Sequence, residues 1–240
     1  MSEGISISNF TDYINNDGKI FGVMVGIVIK NDSANDSEKP GPGMVKVKIP
    51  LIGMKESNWA RISSFMAGKE RGAFFLPEMD DEVLVAFENG DVNKPFIIGA
   101  LWNGKDTPPE TNSDGKNNKR VIKSRSGHIL QFDDKNGEEK LTIKSAKGHT
   151  IEMADKSGSE TFSIIDKSGK NSIVISTKDN KVTVTSGKDI ELSAPQGKLT
   201  MNAKNVEIKS SADTKIEASA GMDIKASSNM TIKGATVNIN

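Results

Sequence analysis

From Val182 to the C-terminus, a pair of apolar or near-apolar residues at positions i and i+2 returns every seven to nine residues. The pairs are Val182/Val184, Ile190/Leu192, Leu199/Met201, Val206/Ile208, Thr214/Ile216, Met222/Ile224, Met230/Ile232 and Val237/Ile239, at start-to-start spacings of 8, 9, 7, 8, 8, 8 and 7. Upstream, Leu141/Ile143, Ile151/Met153, Phe162/Ile164 and Ile173/Ile175 repeat at 9 to 11, so the period tightens toward the C-terminus. Ser, Thr, Lys, Asp, Asn, Ala and Gly fill the intervals. Two same-side apolar positions between polar ones describe a half-buried strand of about five residues and a short corner.

Such a repeat has too little apolar surface to fold alone. A single-chain parallel β-helix uses roughly twenty residues per turn to enclose a core. One chain wound at an eight-residue period would leave backbone donors and acceptors unpaired, at roughly 1–3 kcal/mol per buried group. Three chains wound together solve this: each gives one strand per face, and the inward pairs close a triangular prism. With strands ~4.8 Å apart, about a dozen repeats reach very roughly 60 Å. The sequence therefore predicts an intertwined trimeric β-helix whose core includes Val182, Val184, Ile190, Leu192, Val206, Ile208, Ile216, Ile224 and Ile232. A monomeric solenoid or an adhesin-like stalk is the competing reading of the same period.

The first part of the chain has different physics. Ten of the twelve aromatic residues lie at or before Trp102, and seven of the eight prolines at or before Pro109. Asn103 to Lys119 (NGKDTPPETNSDGKNNK) combines turn residues with no apolar period and reads as a linker. The predicted division is an N-terminal extension at 1–18, a barrel at 19–102, a linker at 103–120 and the octad-repeat shaft at 121–240. In the barrel segment Phe21, Val23, Val25, Ile27 and Ile29 alternate strictly, with Gly22 and Gly26 on the opposite face. Val45, Val47 and Ile49 follow a turn-rich stretch, and further runs are Trp59 to Phe65, Ala73 to Leu76, Val83 to Phe87 and Pro95 to Leu101. Five or six short strands without a convincing helix suggest a small closed Greek-key barrel of OB type. Its aromatics are expected on core-facing positions. The whole chain is thus expected to be all-β.

Composition narrows the function. With 32 basic and 32 acidic side chains the formal net charge is zero, which argues against global attraction to nucleic acid or an anionic membrane. Zero Cys excludes a disulfide scaffold, a thiolate metal site and a Cys nucleophile. No apolar run approaches the ~20 residues that span a bilayer, and no secretory signal is visible at the start.

The candidate chemistry is thin. His128 and His149 both follow Gly, with no second ligand cluster beside them, and read as solvated turn residues. Asp80, Asp81 and Glu82 suggest paired carboxylates, but neighbours at a strand start point to different faces. Gly41-Pro42-Gly43 lacks the Lys-Ser/Thr and the helix of a phosphate cradle. Lys204, Lys209, Lys215, Lys225 and Lys233 interleave with Asp189, Glu191, Glu207, Asp213, Glu217 and Asp223, which reads as a solvated shaft surface. No catalytic residue, cofactor or metal is expected.

The order of motifs FGVMVGIVIKND, GPGMVKVKIP, SNWARI, LPEMDDEVLVAFENGDVNKPFIIGALWNG and PPE resembles the VgrG and phage baseplate assembly protein V group. Ser126-Gly127-His128 through Asp133-Asp134 is similar to the stretch that opens the shaft of such spikes. The resemblance implies a structural central spike of a contractile injection machine, whether a phage tail, a phage-derived particle or a type VI-like system. It also implies that the OB barrel sits under a tube-bearing hub and the trimeric β-helix points outward as the puncturing tip. Larger spikes carry a fused hub before the barrel; here about 20 residues precede it, so a separate hub protein is expected. The linker leaves no room for a lysozyme domain, and no His follows His149 to form an apical His-x-His iron site. The chain ends on VNIN, and Val237, Asn238, Ile239 and Asn240 are expected to dock a separate PAAR-type cap. Met79-Asp80 stands where the family often has an apolar residue and Gly. Assembly in the cytoplasm without a signal peptide, then placement at the tip of a delivered particle or virion, completes the expectation. Two other readings are a trimeric adhesin or tail-fibre-like binding protein, and a nucleic-acid-binding OB protein.

Overall fold

The computed structural model describes residues 18–238, so residues 1–17 of the predicted extension and Ile239 and Asn240 of the predicted tip lie outside it. The chain divides into two units, Met1–Lys188 and Asp189–Asn240. Among the described residues the regular structure is β, apart from three one-turn 3₁₀ segments.

The first unit opens with the barrel. Strands β1 (Met24–Lys30), β2 (Met44–Lys48), β3 (Ala60–Ile62), β6 (Glu82–Phe87) and β7 (Pro95–Leu101) close in the order β1-β2-β3-β7-β6. β1 runs antiparallel to β2 and β6, and the closing β3–β7 pair is parallel. Between β3 and β6 a two-residue-per-strand hairpin, β4 (Ala67–Gly68) and β5 (Arg71–Gly72), projects from the barrel. Ala73 to Leu76, expected as a strand, pairs with nothing beyond this hairpin and runs into Pro77, which has no N–H for a ladder.

Two expectations about the core are corrected. The β1 residues that face inward are Met24, Gly26 and Val28, whereas Phe21, Val23 and Val25 of the alternating run point to solvent. Gly26 decides the parity: a Cβ there would lie 2.8 Å from Val85 Cγ2 and 3.2 Å from Val47 Cβ. Only a residue without a side chain lets β1 approach β2 and β6 at that point. Nor do aromatics fill the interior, which is lined by Met24, Val28, Val45, Val47, Val83, Val85 and Ile97, with Phe87 and Trp59 the buried rings among the described residues. A five-stranded barrel is narrow, and branched aliphatic side chains fit where several rings would not.

Outside the wall, Lys46 is buried to 7% side-chain exposure, donating to Glu38 at 3.0 Å and Glu56 at 2.9 Å, with its ammonium 5.4 Å from the centroid of the Trp59 ring. The two carboxylates raise the Lys46 pKa, and Lys46 in turn lowers that of Glu56. The cluster ties the 31–43 loop to the wall, because Glu38 lies on that loop and the buried Ser33 hydroxyl accepts from Met44 N. Asp80 adopts φ 69°, the left-handed region that Asp tolerates better than most residues, and its N–H donates to Val28 O. The Asp80 to Glu82 run is therefore a turn followed by a strand start.

After the connector come seven strands: β8 (Lys119–Lys123), β9 (Ile129–Asp133), β10 (Lys140–Lys144), β11 (Thr150–Ala154), β12 (Thr161–Ile165), β13 (Ser172–Ser176) and β14 (Lys181–Thr185). They form one antiparallel meander in chain order. Each of the six reversals contains a residue at positive φ: Gly127, Gly137, Gly148, Gly158, Gly169 and Asn180. That left-handed residue lets a strand fold straight back on itself. Here neighbouring strands therefore belong to one chain. The intersubunit ladder expected along the whole shaft does not describe residues 119–185, whose 9-to-11 spacing leaves room for such turns.

In the second unit no residue from Asp189 to Asn238 is in a paired strand, and after Asn180 no described residue has positive φ. The apolar pairs there lie on backbone that makes no ladder within its own chain.

Candidate functional site: an apolar face without an internal partner

The meander's register stacks the apolar pairs into two columns on one face. Phe132, Leu141, Met153, Phe162, Ile175 and Val182 stand opposite one another from β9 to β14. Ile122, Leu130, Ile143, Ile151, Ile164, Ile173 and Val184 do the same from β8. Directly opposed side chains in a sheet approach to about 5 Å, so each column is continuous. The reverse face carries the polar column Gln131, Thr142, Glu152, Ser163 and Thr183, broken by Val174.

This face is the inverse of a covered core. Ile143, Ile151, Met153, Ile164, Ile173 and Ile175 are exposed on the single chain, and a hollow of about 500 Å³ opens among Ile143, Ile151, Ile164, Ile173 and Val184. Soluble monomers rarely leave such contiguous apolar area to water.

The sequence-predicted residues fall in both units. Val182 and Val184 end the two columns on β14, while Ile190, Leu192, Val206, Ile208, Ile216, Ile224 and Ile232 lie in the second unit. All nine are more than half exposed in the single chain. The intervening side chains form ion pairs at i and i+2: Glu207–Lys209 at 2.7 Å, Lys215–Glu217 at 2.5 Å and Asp223–Lys225 at 3.4 Å. Alternation on an extended backbone puts such a pair on the side opposite the apolar pair. At the predicted tip, Val237 and Asn238 are exposed; Ile239 and Asn240 lie outside the described residues.

The histidines belong to matching turns. Ser124 Oγ accepts from His128 N at 3.0 Å, and Ser145 Oγ from His149 N at 2.9 Å. His128 Nδ1 also accepts from Ala146 N at 3.4 Å, linking the two turns. The third turn on that edge replaces Ser with Asp166, held down to about 2 by the Ser168 hydroxyl and the Asn171 backbone N–H. Among the described residues no three His, Asp or Glu side chains gather as a metal site.

Sequence reasoning missed two apolar surfaces on the barrel. Phe65, Met66, Phe74 and Phe75 flank the β4–β5 hairpin and stand in solvent, Phe65 at 87% exposure and Phe74 at 74%. Phe21 and Val23 before β1, Val25 on β1, and Ile98 and Leu101 on β7 are also exposed, and the register sets Val25 opposite Leu84 of β6 and Leu101 opposite Glu82. The available signal was Lys69-Glu70-Arg71 between Gly68 and Gly72: a charged tip flanked by aromatics. Arg125, in the first turn of the meander, donates to both carboxylate oxygens of Glu78 at 2.9 Å and joins meander to barrel.

Residues 24–102 match the family described as the type VI secretion system/phage-baseplate injector OB domain. Several curated proteins are similar over about two fifths of the chain. The actin cross-linking toxin VgrG1 of Vibrio cholerae is 31% identical over 109 residues, covering 41% of this chain and 10% of that protein. The type VI secretion system spike protein VgrG3 of Vibrio cholerae is 31% identical over 109 residues, 41% of this chain and 11% of that protein. VgrG1a of Pseudomonas aeruginosa, of the same description, is 31% identical over 111 residues, 41% of this chain and 17% of that protein. The alignments thus span no more than 17% of these relatives' own length.

Proposed function

We propose that the chain, whose residues 24–102 match the type VI secretion system/phage-baseplate injector OB domain, is the structural central spike of a contractile injection machine. It works mechanically: sheath contraction drives the tube, and a narrow trimeric shaft concentrates the force on the target envelope. We assign residues 19–102 to the hub-side barrel, 103–120 to the connector and 121–240 to the shaft.

The observation that carries this reading is the two-column apolar face, followed by octads that, among the described residues from Asp189 to Asn238, lie exposed and form no strand ladder in their own chain. A buried backbone must find hydrogen bonds and an apolar pair must find cover. Two further copies supply both. The glycine reversals stop before the octads begin, which suits a chain that winds onward around a common axis instead of doubling back. The core of that prism is Val182, Val184, Ile190, Leu192, Val206, Ile208, Ile216, Ile224 and Ile232.

The partners that follow are a hub protein at the barrel end and a PAAR-type protein docked on Val237, Asn238, Ile239 and Asn240. The target membrane is touched only on puncture. Assembly takes place in the cytoplasm, and the spike is delivered at the tip of the particle. No catalytic role is assigned, since the alignment reaches 10% of the relative whose name carries a toxin activity.

The test uses the full chain. Light scattering after gel filtration is expected to give three times the 25.8 kDa chain mass, and tagged chain expressed beside its genomic neighbours is expected to bring down tube, hub or PAAR proteins. A monomer at micromolar concentration sinks the trimer, and a trimer that binds a glycan receptor but no injection component sinks the spike.

A further inference from the structure

Asn followed by Gly occurs at Asn89-Gly90, Asn103-Gly104 and Asn136-Gly137. The pair is chemically labile, because the backbone nitrogen of the glycine can close a five-membered ring on the asparagine side-chain carbonyl carbon. Glycine favours the closure: it has no Cβ to crowd the ring and its backbone turns freely. The reaction is intramolecular, so its rate depends on whether the fold lets the two atoms meet.

The structure treats the three pairs differently. Gly90 is buried, its carbonyl accepts from Ile20 N at 2.9 Å, and a Cβ there would lie 3.0 Å from Lys19 Cβ. That backbone has no room to turn. Asn103 is held through its side chain: its Oδ1 accepts from Lys105 N and Asp106 N, each at 2.7 Å, and its Nδ2 donates to Asp106 Oδ2 at 2.9 Å. Asn136 is exposed in the β9–β10 reversal, and its side chain has no hydrogen-bond partner among the described residues. A Cβ at Gly137 would meet open space.

The same reversal holds a proton acceptor. Gly137 N donates to Glu139 Oε1 at 3.0 Å. The neighbouring Glu138 is engaged by Lys135 at 2.5 Å and Lys156 at 3.9 Å, whereas Glu139 forms no ion pair among the described residues. A carboxylate on the N–H that must be lost is placed to act as a general base.

We infer that Asn136-Gly137 is a self-modification site, converting to aspartyl and isoaspartyl forms ahead of Asn103 and Asn89. Gly137 N bonds to Asn136 Cγ while its proton passes to Glu139 Oε1, and that proton leaves with Asn136 Nδ2 as ammonia. Water then opens the cyclic imide. Opening at the Cγ–N bond leaves an aspartyl side chain on the original backbone; opening at the main-chain carbonyl routes the chain through Cγ and lengthens the reversal by one carbon. The inference does not depend on the spike reading or on the number of chains.

The test incubates the folded full-length protein in mildly alkaline buffer and follows the three peptides by mass spectrometry, with the chain in denaturant as reference. In denaturant the three pairs are expected to convert at similar rates; in the folded protein Asn136 is expected to convert first, giving both products, while Asn103 and Asn89 stay amides. Glu139→Gln keeps the shape and an acceptor oxygen for Gly137 N, and is expected to slow Asn136 severalfold in the folded protein and not in denaturant. Folded-state conversion of Asn103 or Asn89 as fast as Asn136 overturns the site assignment. An unchanged or faster rate in Glu139→Gln overturns the proton transfer.

Discussion

Replacing Ile208 with Asp separates what a single chain needs from what an assembly needs. Complete burial of an Ile side chain contributes ~1.5–3 kcal/mol. Ile208 is 67% exposed in the single chain, so in the proposed trimer closure by two more copies would supply about two thirds of this, ~1–2 kcal/mol per copy. Three copies at one level of the prism therefore contribute ~3–6 kcal/mol. Asp at that position removes this contribution and places three carboxylates together in an apolar core, each with an effective desolvation penalty of several kcal/mol. The sum exceeds ~10 kcal/mol, comparable with the ~5–15 kcal/mol that holds a whole domain folded. In a lone chain the same exposed substitution shifts stability by only about 0.5 kcal/mol. The expected result is a folded barrel at one chain mass by light scattering, with the high-temperature transition of the shaft lost from calorimetry. Ile208→Val should remain trimeric. A trimeric Ile208→Asp with unchanged melting would mean that Ile208 does not face the shared core, and the octad argument would fail.

Three further outcomes are expected. Gly26→Ala puts a methyl 2.8 Å from Val85 Cγ2 and 3.2 Å from Val47 Cβ, so overpacking should cost ~1–3 kcal/mol and lower the barrel's Tm in calorimetry. Glu56→Gln tests the Lys46 cluster through pH. Glu56 is held below 4.5, so its contribution is present above 4.5 and is lost as pH falls through the lower folded value. Lys46 is raised above 10.5, so its contribution is present below 10.5 and is lost as pH rises through the higher value. Thermal melts from pH 2 to 7 should therefore show a reduced Tm near neutrality and a flatter acid limb in the variant; coincident curves would remove the cluster from the stability account. Deleting Thr236 to Asn240 should leave the oligomeric mass intact and abolish co-purification with a PAAR-type partner, and retained capture would move the docking surface elsewhere.

The two halves differed in how much of each could be read. The apolar pairs of residues 119–185 were legible because period-2 alternation against Lys, Ser and Asp leaves one choice of face, and Ile151, Met153, Ile164 and Ile173 share that one face. β2 and β6 were legible for the same reason, with Val45 and Val47, then Val83 and Val85, turned inward. β1 was not, because both its faces are apolar and the longer alternating run lies on the outside. Its inward set, Met24, Gly26 and Val28, contains the residue with no side chain, and only the proximity of Val85 and Val47 gives that glycine its meaning. The hairpin aromatics were misplaced on the same ground: composition counts rings but does not measure the width of a five-stranded barrel.

Alone, the sequence established an all-β chain, with an aromatic-rich barrel first and a core-poor repeat after it, because strand periodicity and apolar supply are local properties. The tertiary structure decided the parity of β1 and the within-chain pairing of residues 119–185, and left two apolar surfaces on the barrel exposed. Those outcomes depend on contacts between residues far apart in the chain, where a missing Cβ at Gly26 or a left-handed residue at a reversal selects one of two arrangements that local pattern leaves equal.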